Sequence, residues 1–342
     1  MTLPADDHLL TVEGLRTHFF TFEGVARAVD DVSLHLDRGE VLGVVGESGC
    51  GKSVTAQSVM RLVPDPPGRI VGGRITFDGI DILGLPLRRM RSIRGNRIAM
   101  IFQEPMTSLN PVFTIGDQIC EMFALHQRLS RSESRDRAVE MLKKVQIPAP
   151  EKRLSEYPHQ LSGGMRQRAM IAMAMACDPE ILIADEPTTA LDVTVQAQIL
   201  DLMLKLRTDF DTAIMMITHD LGVIAEIATR VAVMYAGKVV ETADTVTVFE
   251  QPEHPYTRGL LRSIPRLGDR SGSGRERLSE IAGLVPSLYA LPDGCPFAPR
   301  CESAMGICRE SLPEIRETAP GHSVRCWLSE SGGDAAESGH AA

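Results

Sequence analysis

The segment Gly46-Glu47-Ser48-Gly49-Cys50-Gly51-Lys52-Ser53 decides the fold of this chain. It follows a short apolar run at 41 to 45, typical of a buried strand, and precedes VTAQSVMRLV, whose apolar spacing favours a helix. Glycines let backbone amides turn inward around phosphate oxygens, and strand, loop and helix stand in the order that a phosphate-binding P-loop requires. The sequence therefore predicts a nucleotide site in this loop.

Two side chains of the loop supply the charge chemistry. Lys52 is expected to reach the β- and γ-phosphates, and Ser53 offers a hydroxyl to Mg²⁺. The alternative is a glycine turn with an incidental lysine, which the flanking strand and helix argue against. The predicted nucleotide-binding residues of the loop are Gly46, Glu47, Ser48, Gly49, Cys50, Gly51, Lys52, Ser53 and Val54.

Two acids follow a second apolar run at 181 to 184. Asp185 ends this predicted strand and suits Mg²⁺, directly or through water, while Glu186 is placed to orient or deprotonate an attacking water. The alternative is that both acids only cap the helix predicted from Val193. We therefore treat Asp185 as a candidate magnesium ligand and Glu186 as a candidate catalytic base.

Composition limits the class of protein. The 342 residues are 43% hydrophobic and 24% charged, as in soluble globular proteins, and no apolar run approaches the ~18 residues of a membrane-spanning helix. The N-terminus MTLPADDHLL lacks the basic start and apolar core of a secretory signal, which favours the cytoplasm. A net charge of −9 argues against a globally basic, nucleic-acid-binding surface, and no nucleic-acid partner is expected.

The order of predicted elements indicates an α/β fold. Strands and helices alternate around the P-loop and again after residue 179, which implies a parallel sheet covered on both faces. The core, predicted to be RecA-like and ATP-binding with an N-terminal antiparallel β segment, covers 1–103 and 179–250, and a helical subdomain covers 104–178. A small C-terminal metal-binding extension is predicted at 251–327, with GDRSGSGRER at 268 to 277 as a flexible link. Residues 328–342 are predicted to be a disordered tail.

One further motif names a family. Residues 161 to 168 read LSGGMRQR, two glycines and a serine at a predicted helix start, where amides and a hydroxyl are available to a phosphate. Together with the P-loop and the Asp185-Glu186 strand end, this segment resembles the signature of ATP-binding-cassette (ABC) ATPases. The resemblance spans about residues 9 to 250, and one position departs from the pattern, because Met165 stands where glutamine is common. The signature residues are Leu161, Ser162, Gly163, Gly164 and Met165.

The resemblance assigns roles to further residues. Gln103, in IFQEP, matches the Q-loop glutamine that senses Mg²⁺ and water where the cassette meets a membrane subunit. His219, in ITHD, matches the switch histidine, which would donate a hydrogen bond as charge develops on the γ-phosphate. Phe19 aligns with the aromatic residue that stacks on adenine, although Phe20 and Phe22 lie beside it and a core role is as plausible for each. Ala190, Leu191 and Asp192 resemble the D-loop that links two ATP sites.

The family implies a head-to-tail pair of cassettes with two ATP molecules between them. Each ATP is bound by the P-loop of one subunit and the signature of the other. Lys52 and Mg²⁺ would neutralise phosphate charge, Ser53, Gln103 and Asp185 would hold the ion, and Glu186 would act on the water. ATP binding closes the pair and hydrolysis opens it, so the output is a conformational change.

A narrower resemblance is to the ATP-binding subunits of dipeptide and oligopeptide importers. It rests on QEPMTSLNPVFTIGDQI at 103 to 119, YPHQLSGGMRQRAMIAMA at 157 to 174, HPYTRGL at 254 to 260 and the segment from IAGLVPSL through CPFAPRC to Cys326. It implies two multi-spanning permease subunits, a second ABC ATPase (a heterodimer being favoured over a homodimer), an extracytoplasmic peptide-binding protein as an indirect partner, and a peripheral position on the cytoplasmic face of the cell membrane. Nickel and glutathione importers share most of these features, so peptide is the favoured substrate, with nickel and glutathione as alternatives.

Four cysteines stand close together near the C-terminus of the chain. Cys295, Cys301, Cys308 and Cys326 have the spacing of neither a zinc ribbon nor a ferredoxin, yet four thiols so near each other suggest one closed site. In the importer family the corresponding segment resembles a [4Fe-4S] binding site. Zn²⁺ suits four thiolates equally well, and four unligated cysteines remain the third alternative.

Other protein classes share part of this pattern. A soluble ABC ATPase of DNA repair or translation usually carries two cassettes or a long coiled-coil insertion, neither of which is present. A P-loop nucleotide kinase would lack the signature and the switch histidine. A metal or redox sensor that controls the ATPase is a third class, and no sequence feature tests it.

Overall fold

The computed structural model describes residues 8–103, 108–189, 191–264 and 281–331. The predicted flexible link at 268 to 277, residues 104 to 107 of IFQEPMT and Ala190 of the D-loop lie outside the described residues. So does the predicted tail from residue 332 onward, whereas its first residues belong to a short helix, Trp327–Ser331.

The strands are β1 (Leu10–Thr21), β2 (Gly24–Leu36), β3 (Val41–Val45), β4 (Gly68–Phe77), β5 (Ile80–Asp81), β6 (Ile98–Ile101), β7 (Ile181–Asp185), β8 (Ala213–Thr218), β9 (Arg230–Tyr235), β10 (Lys238–Asp244), β11 (Arg316–Ala319) and β12 (His322–Val324). The helices are α1 (Lys52–Val59), α2 (Leu87–Ile93), α3 (Ile115–His126), α4 (Arg131–Lys144), α5 (Pro150–Arg153), α6 (Gly163–Met175), α7 (Val193–Phe210), α8 (Leu221–Ile227), α9 (Thr245–Glu250), α10 (Pro255–Arg262), α11 (Ile307–Glu310) and α12 (Trp327–Ser331). Two short 3₁₀ turns cover Pro158–Gln160 and Ala298–Arg300.

The chain forms two compact units. The first contains residues 36–41 and 77–217 together with the described start of the chain, and the second contains 11–35, 42–76 and the described residues from 218 onward. The sequence-based boundaries at 104, 179 and 251 are not tested by this division and stay a prediction.

The first unit combines a parallel sheet with a helical layer. β6, β7 and β8 pair in parallel, with Ile98 opposite Ile181 and Ile181 opposite Ala213, and all their residues are buried. The helical layer holds α3 to α6. Side chains cap three of these helices: Thr114 and Ser130 complete capping boxes at α3 and α4, and Ser162 caps α6. This is the helical region predicted between the two halves of the core.

The second unit carries the P-loop. β3 pairs in parallel with β9, and β9 continues antiparallel through β10, β12 and β11. β2, β1 and β4 form a separate sheet, and the two-residue connection between β1 and β2 permits only antiparallel pairing. The antiparallel N-terminal segment is thus confirmed.

The prediction of a purely parallel sheet is wrong beyond β9. Ala236 and Gly237 both adopt left-handed backbone conformations, with φ of 46° and 81°, and they connect the paired residues Tyr235 and Lys238. Two left-handed central residues form the tight turn that joins antiparallel strands, so β10 must fold back on β9. The core sheet is therefore mixed.

None of the helices among the described residues is long and apolar enough to cross a membrane.

One buried histidine of the second unit makes stability depend on pH. Nδ1 of His254 accepts a hydrogen bond from the backbone N–H of Tyr256 at 3.0 Å, and burial lowers the pKa of His254 to about 3. The folded chain holds this ring neutral, whereas the unfolded chain protonates it below about pH 6.5. The contribution of His254 to the free energy of unfolding is therefore fully present above about pH 6.5 and is lost as the pH falls towards 3.

We expect the free energy of unfolding to drop by about 2 kcal/mol between pH 7 and pH 5 through His254 alone. Denaturant unfolding of a His254→Asn variant at both pH values measures this contribution, because asparagine is a good helix cap and does not titrate. The exposed His159→Asn variant is the control and should keep the wild-type difference. An equal drop in wild type and His254→Asn would contradict the expectation.

Candidate functional site

The phosphate loop requires glycine at two close approaches. Gly46 and Gly51 have φ of 152° and 101°, and a Cβ at either would lie 2.2 Å from a carbonyl oxygen, of Met234 and Ala28 respectively. Gly49 has φ of 78° but open space around it. The loop is thus pressed against neighbouring backbone at both ends, which holds its amides in a fixed curve.

Lys52 folds back over this curve. Its Nζ donates to the carbonyl oxygens of Gly46 at 2.7 Å and Glu47 at 3.1 Å, and the residue is 5% exposed. Ser53 follows it in the first turn of α1, and Cys50 and Val54 lie on either side of this pair along the chain. A fixed ammonium group, a glycine-rich loop and a helix N-terminus together fit a nucleotide phosphate.

Phe19 lies on the face of β1 that is directed towards the P-loop helix. Thr17, two residues earlier and therefore on the same face, bonds through Oγ1 to Oγ of Ser58 in α1 at 2.8 Å. The Phe19 ring packs so closely on Gly68 that a Cβ there would lie 2.9 Å from it. Phe20 and Phe22 are 48% and 99% exposed. This favours Phe19 over its neighbours, and stacking on adenine stays a prediction.

Glu186 is held by two side chains of the first unit. Its Oε2 accepts from Nε2 of Gln103 at 3.0 Å and from Oγ1 of Thr189 at 2.9 Å. Asp185, at the end of β7, is 4% exposed. The structure therefore brings Gln103 and Glu186 together as a pair, and adds Thr189, a residue of the predicted D-loop segment whose contact with Glu186 no sequence pattern indicated.

The backbone of Glu186 adopts an unusual conformation. Its φ of 47° lies in the left-handed region, which costs a residue other than glycine about 1–3 kcal/mol. The conformation is fixed by two hydrogen bonds, from Glu186 N to the Ile217 carbonyl at 2.8 Å and from Thr189 N to the Glu186 carbonyl at 3.2 Å. Strain of this kind concentrates at functional positions and agrees with a catalytic role.

Ser162 and Gly163 of the signature are solvent-exposed at the start of α6. Oγ of Ser162 accepts from Met165 N at 3.4 Å, and no other described atom lies within 4 Å of a Cβ placed at Gly163. At Gly164 the nearest atom to such a Cβ is Cγ1 of Val195, at 3.0 Å. Leu161 is buried and anchors the segment. The side of the segment at Gly163 is thus open to a ligand or to another molecule.

Gln167 connects the signature helix to the strand end. It is 1% exposed, and its Nε2 donates to the carbonyl oxygen of Pro187, the residue after Glu186. No sequence pattern indicates this contact, because Gln167 stands between two arginines, Arg166 and Arg168, in the signature segment.

The remaining predicted positions occupy helix starts. Oδ1 of Asp192 accepts from Val195 N at 3.0 Å and caps α7, and Leu191 N donates to the Thr188 carbonyl at 3.2 Å. His219 is exposed directly after β8, while the next residue, Asp220, caps α8 through Gly222 N at 2.9 Å. The D-loop and switch roles of these residues stay predictions.

The four C-terminal cysteines are thiols that approach one another. Burial, together with the thiols of Cys308 and Cys326, raises the pKa of Cys295 to about 11, and burial with Cys301 and Cys308 raises the pKa of Cys326. Cys295 N donates to the Cys308 carbonyl at 2.8 Å. All four fall within the described residues, and no three of their sulfur atoms lie within 4.8 Å of one another.

Known proteins resemble this chain along most of its length. The profile of the ABC transporter family matches residues 29–189, and that of the oligopeptide/dipeptide transporter C-terminal region matches 240–308. The "Probable peptide ABC transporter ATP-binding protein y4tR" of Sinorhizobium fredii is 56% identical over 95% of this chain and 96% of its own. The dipeptide transport ATP-binding protein DppD of Bacillus subtilis is 50% identical over 95% and 96%.

The fold has solved counterparts as well. A dimeric ATP-binding cassette in a post-hydrolysis state, bound to ADP and Pi, is 29% identical, with a TM-score of 0.61 over 69% of this chain and 98% of that one. A third sequence relative, the oligopeptide transport ATP-binding protein OppD of Bacillus subtilis, is 51% identical over 94% of this chain and 88% of its own. The chain therefore belongs to the ABC transporter family, as an ATPase subunit with the C-terminal region of the oligopeptide and dipeptide transporters.

Proposed function

We propose that this chain is the ATP-hydrolysing subunit that powers import of dipeptides and oligopeptides across the cytoplasmic membrane. One observation carries the proposal: the motifs of the cassette are joined in one chain to a region that matches the oligopeptide/dipeptide transporter family over residues 240–308. Relatives named for dipeptide and oligopeptide transport match 95% and 94% of the chain.

The proposed chemistry assigns each group one task. Lys52 and the loop amides hold the β- and γ-phosphates, and Ser53, Asp185 and Gln103 are the groups that would hold Mg²⁺, which supplies charge neutralisation when bound. Glu186 orients or deprotonates the attacking water. His219 donates a hydrogen bond to the γ-phosphate as charge develops on it.

The second half of each ATP site comes from another cassette subunit. The exposed segment at Ser162 and the open space at Gly163 support this assignment, because a glycine that nothing in the described part of its chain crowds is accessible to a partner's γ-phosphate. We propose a heterodimer with a related ATPase, with a homodimer as the alternative outcome.

The membrane partners are proposed to be two multi-spanning permease subunits. Exposed apolar side chains flank the Q-loop segment: Phe102, Val112 and Phe113 are 40%, 71% and 51% exposed. Apolar groups left open to water mark interaction sites. The chain would then lie peripherally at the cytoplasmic face of the membrane, and an extracytoplasmic peptide-binding protein would deliver the substrate.

The C-terminal cysteines are proposed to hold a [4Fe-4S] cluster. Cys295, Cys301, Cys308 and Cys326 are free thiols, which fit the donor set of such a cluster. Four thiolates suit Zn²⁺ as well, and the resemblance to the importer family favours the cluster.

Purification of the tagged protein from its native membranes in mild detergent, followed by mass spectrometry, tests the assignment. We expect two multi-spanning subunits, a second cassette ATPase and a peptide-binding protein to copurify. Reconstituted complex should then hydrolyse ATP faster with peptide-loaded binding protein than with nickel or glutathione. Partners from the ribosome or from DNA repair, without permeases, would overturn the transport assignment and leave the ATPase chemistry standing.

The same preparation gives the metal content. We expect about four iron atoms per chain, lost in Cys301→Ser and retained in Cys120→Ser, a cysteine of the helical layer. If zinc is found in place of iron, the site holds a structural zinc ion rather than a cluster. If neither metal is found, the four cysteines are unligated thiols.

A further inference from the structure

Glu47, the second residue of the phosphate loop, is held by the C-terminal part of the chain at two points. Its backbone N–H donates to Oη of Tyr256 at 2.9 Å. Its carboxylate accepts two hydrogen bonds from Arg300, from Nη1 to Oε2 at 2.7 Å and from Nη2 to Oε1 at 3.0 Å. The Arg300–Glu47 pair joins residues that lie 253 positions apart in the chain.

Arg300 uses all five of its N–H donors. Besides the two bonds to Glu47, Nη1 donates to Oη of Tyr235 at 3.3 Å, Nη2 to the Ile281 carbonyl at 3.0 Å and Nε to the Ala282 carbonyl at 3.1 Å. The side chain is 4% exposed, and the Glu47 carboxylate raises its pKa. A planar fork with five fixed donors cannot be replaced by lysine, which is a point charge on a flexible stem.

The cysteine segment fixes the position of Arg300. The residue ends the 3₁₀ turn Ala298–Arg300, directly before Cys301 and shortly after Cys295. Phe297, at the start of that turn, packs edge-on against the rings of Tyr235 and Tyr256, with centroids 5.3 and 5.4 Å apart. A movement of the cysteine segment would therefore move Arg300, and with it the carboxylate of Glu47.

We propose that Arg300 is a positioning residue for the phosphate loop, and that its ion pair with Glu47 couples the conformation of the cysteine segment to nucleotide binding. The inference rests on the proposed ATP site but goes beyond it, because it makes the C-terminal region part of the apparatus that shapes that site. Coupling between two sites is reciprocal, so nucleotide must in turn order the cysteine segment.

Nucleotide affinity provides the first test. We expect Arg300→Gln to weaken binding of a fluorescent, non-hydrolysable MgATP analogue about tenfold, within the range of typical coupling between sites. Arg300→Lys should fail to restore affinity. Arg309→Gln, an exposed arginine of the same segment, is the matched control and should bind as the wild type does.

The double variant separates coupling from a general loss of structure. Glu47→Gln alone should weaken binding to a similar extent, and Glu47→Gln combined with Arg300→Gln should be no weaker than either. Should Arg300→Gln fail to fold, Arg300→Lys and Glu47→Gln carry the same comparison. Affinities within twofold of the control in these variants, or additive losses in the double variant, would overturn the proposal.

Hydrogen exchange measures the reverse direction. In the wild type and in Arg309→Gln, the analogue should slow amide exchange in residues 295 to 301, and in Arg300→Gln it should not. A segment indifferent to nucleotide in the wild type would refute the coupling. A wild type that binds no nucleotide would instead refute the proposed function, so the two failures are distinguishable.

Discussion

Replacing Glu186 by glutamine is expected to lower ATP hydrolysis by a factor of about 10²–10⁴ while nucleotide still binds. The amide keeps the shape of the side chain, and its oxygen still accepts from Gln103 and Thr189, so the local structure should persist. What is lost is the negative charge and basicity that act on water. Steady-state turnover of the assembled transporter and binding of a labelled nucleotide are the two measurements.

The control for this variant is Glu226→Gln, an exposed glutamate of α8 that should hydrolyse ATP normally. A Glu186→Gln protein that keeps more than about a tenth of wild-type turnover would exclude a general-base role for Glu186. Loss of nucleotide binding would point instead to a structural role for the carboxylate.

Gly163→Ala is expected to leave folding intact and to lower hydrolysis about 10²–10³-fold. A Cβ at this position meets nothing in the described part of its own chain, and its backbone conformation is one that alanine adopts readily. The thermal midpoint should therefore stay unchanged or rise slightly. Because the segment is proposed to bind the partner's γ-phosphate through its amides, the added methyl group would obstruct a site that belongs to two subunits.

Gly306→Ala provides a matched control for Gly163→Ala. Gly306 caps the short helix α11, as Gly163 begins α6; it has open space for a Cβ within the described structure and lies outside every nucleotide motif. Nucleotide-dependent dimerisation with the partner ATPase, measured by light scattering in the Glu186→Gln background, should be lost with Gly163→Ala and kept with Gly306→Ala. Normal dimerisation and turnover in Gly163→Ala would show that the signature segment does not form part of the partner's ATP site.

The local sequence pattern was sufficient to predict the strands and helices that carry the motifs. The apolar runs before Gly46, Asp185 and His219 are all buried strands, and the caps at Ser162 and Asp192 start the expected helices. Each of these features depends on residues that are neighbours in sequence. Periodicity and capping chemistry are therefore enough to place them.

Contacts between distant residues could not be predicted in this way. The left-handed residues Ala236 and Gly237 reverse the direction of the chain between β9 and β10, yet in the sequence only the glycine indicates a turn. His322, in β12, meets the buried Glu241 of β10 at 2.8 Å because the two strands pair, and no short pattern encodes that register. The left-handed Glu186 and the pairing of Glu47 with Arg300 are likewise results of tertiary structure.

The pairing of β12 with β10 bears on the order in which the C-terminal site assembles. Val324 lies opposite Glu241, and Arg325 N donates to the Val240 carbonyl at 2.8 Å, which anchors the chain just before Cys326. Arg300 anchors it just before Cys301. The entropy cost of closing this long loop is thus met during folding of the polypeptide itself. Unlike a zinc finger, which is unfolded without its ion, this segment should be folded before it binds the proposed metal, and a chelator should leave the nucleotide-binding sheet folded.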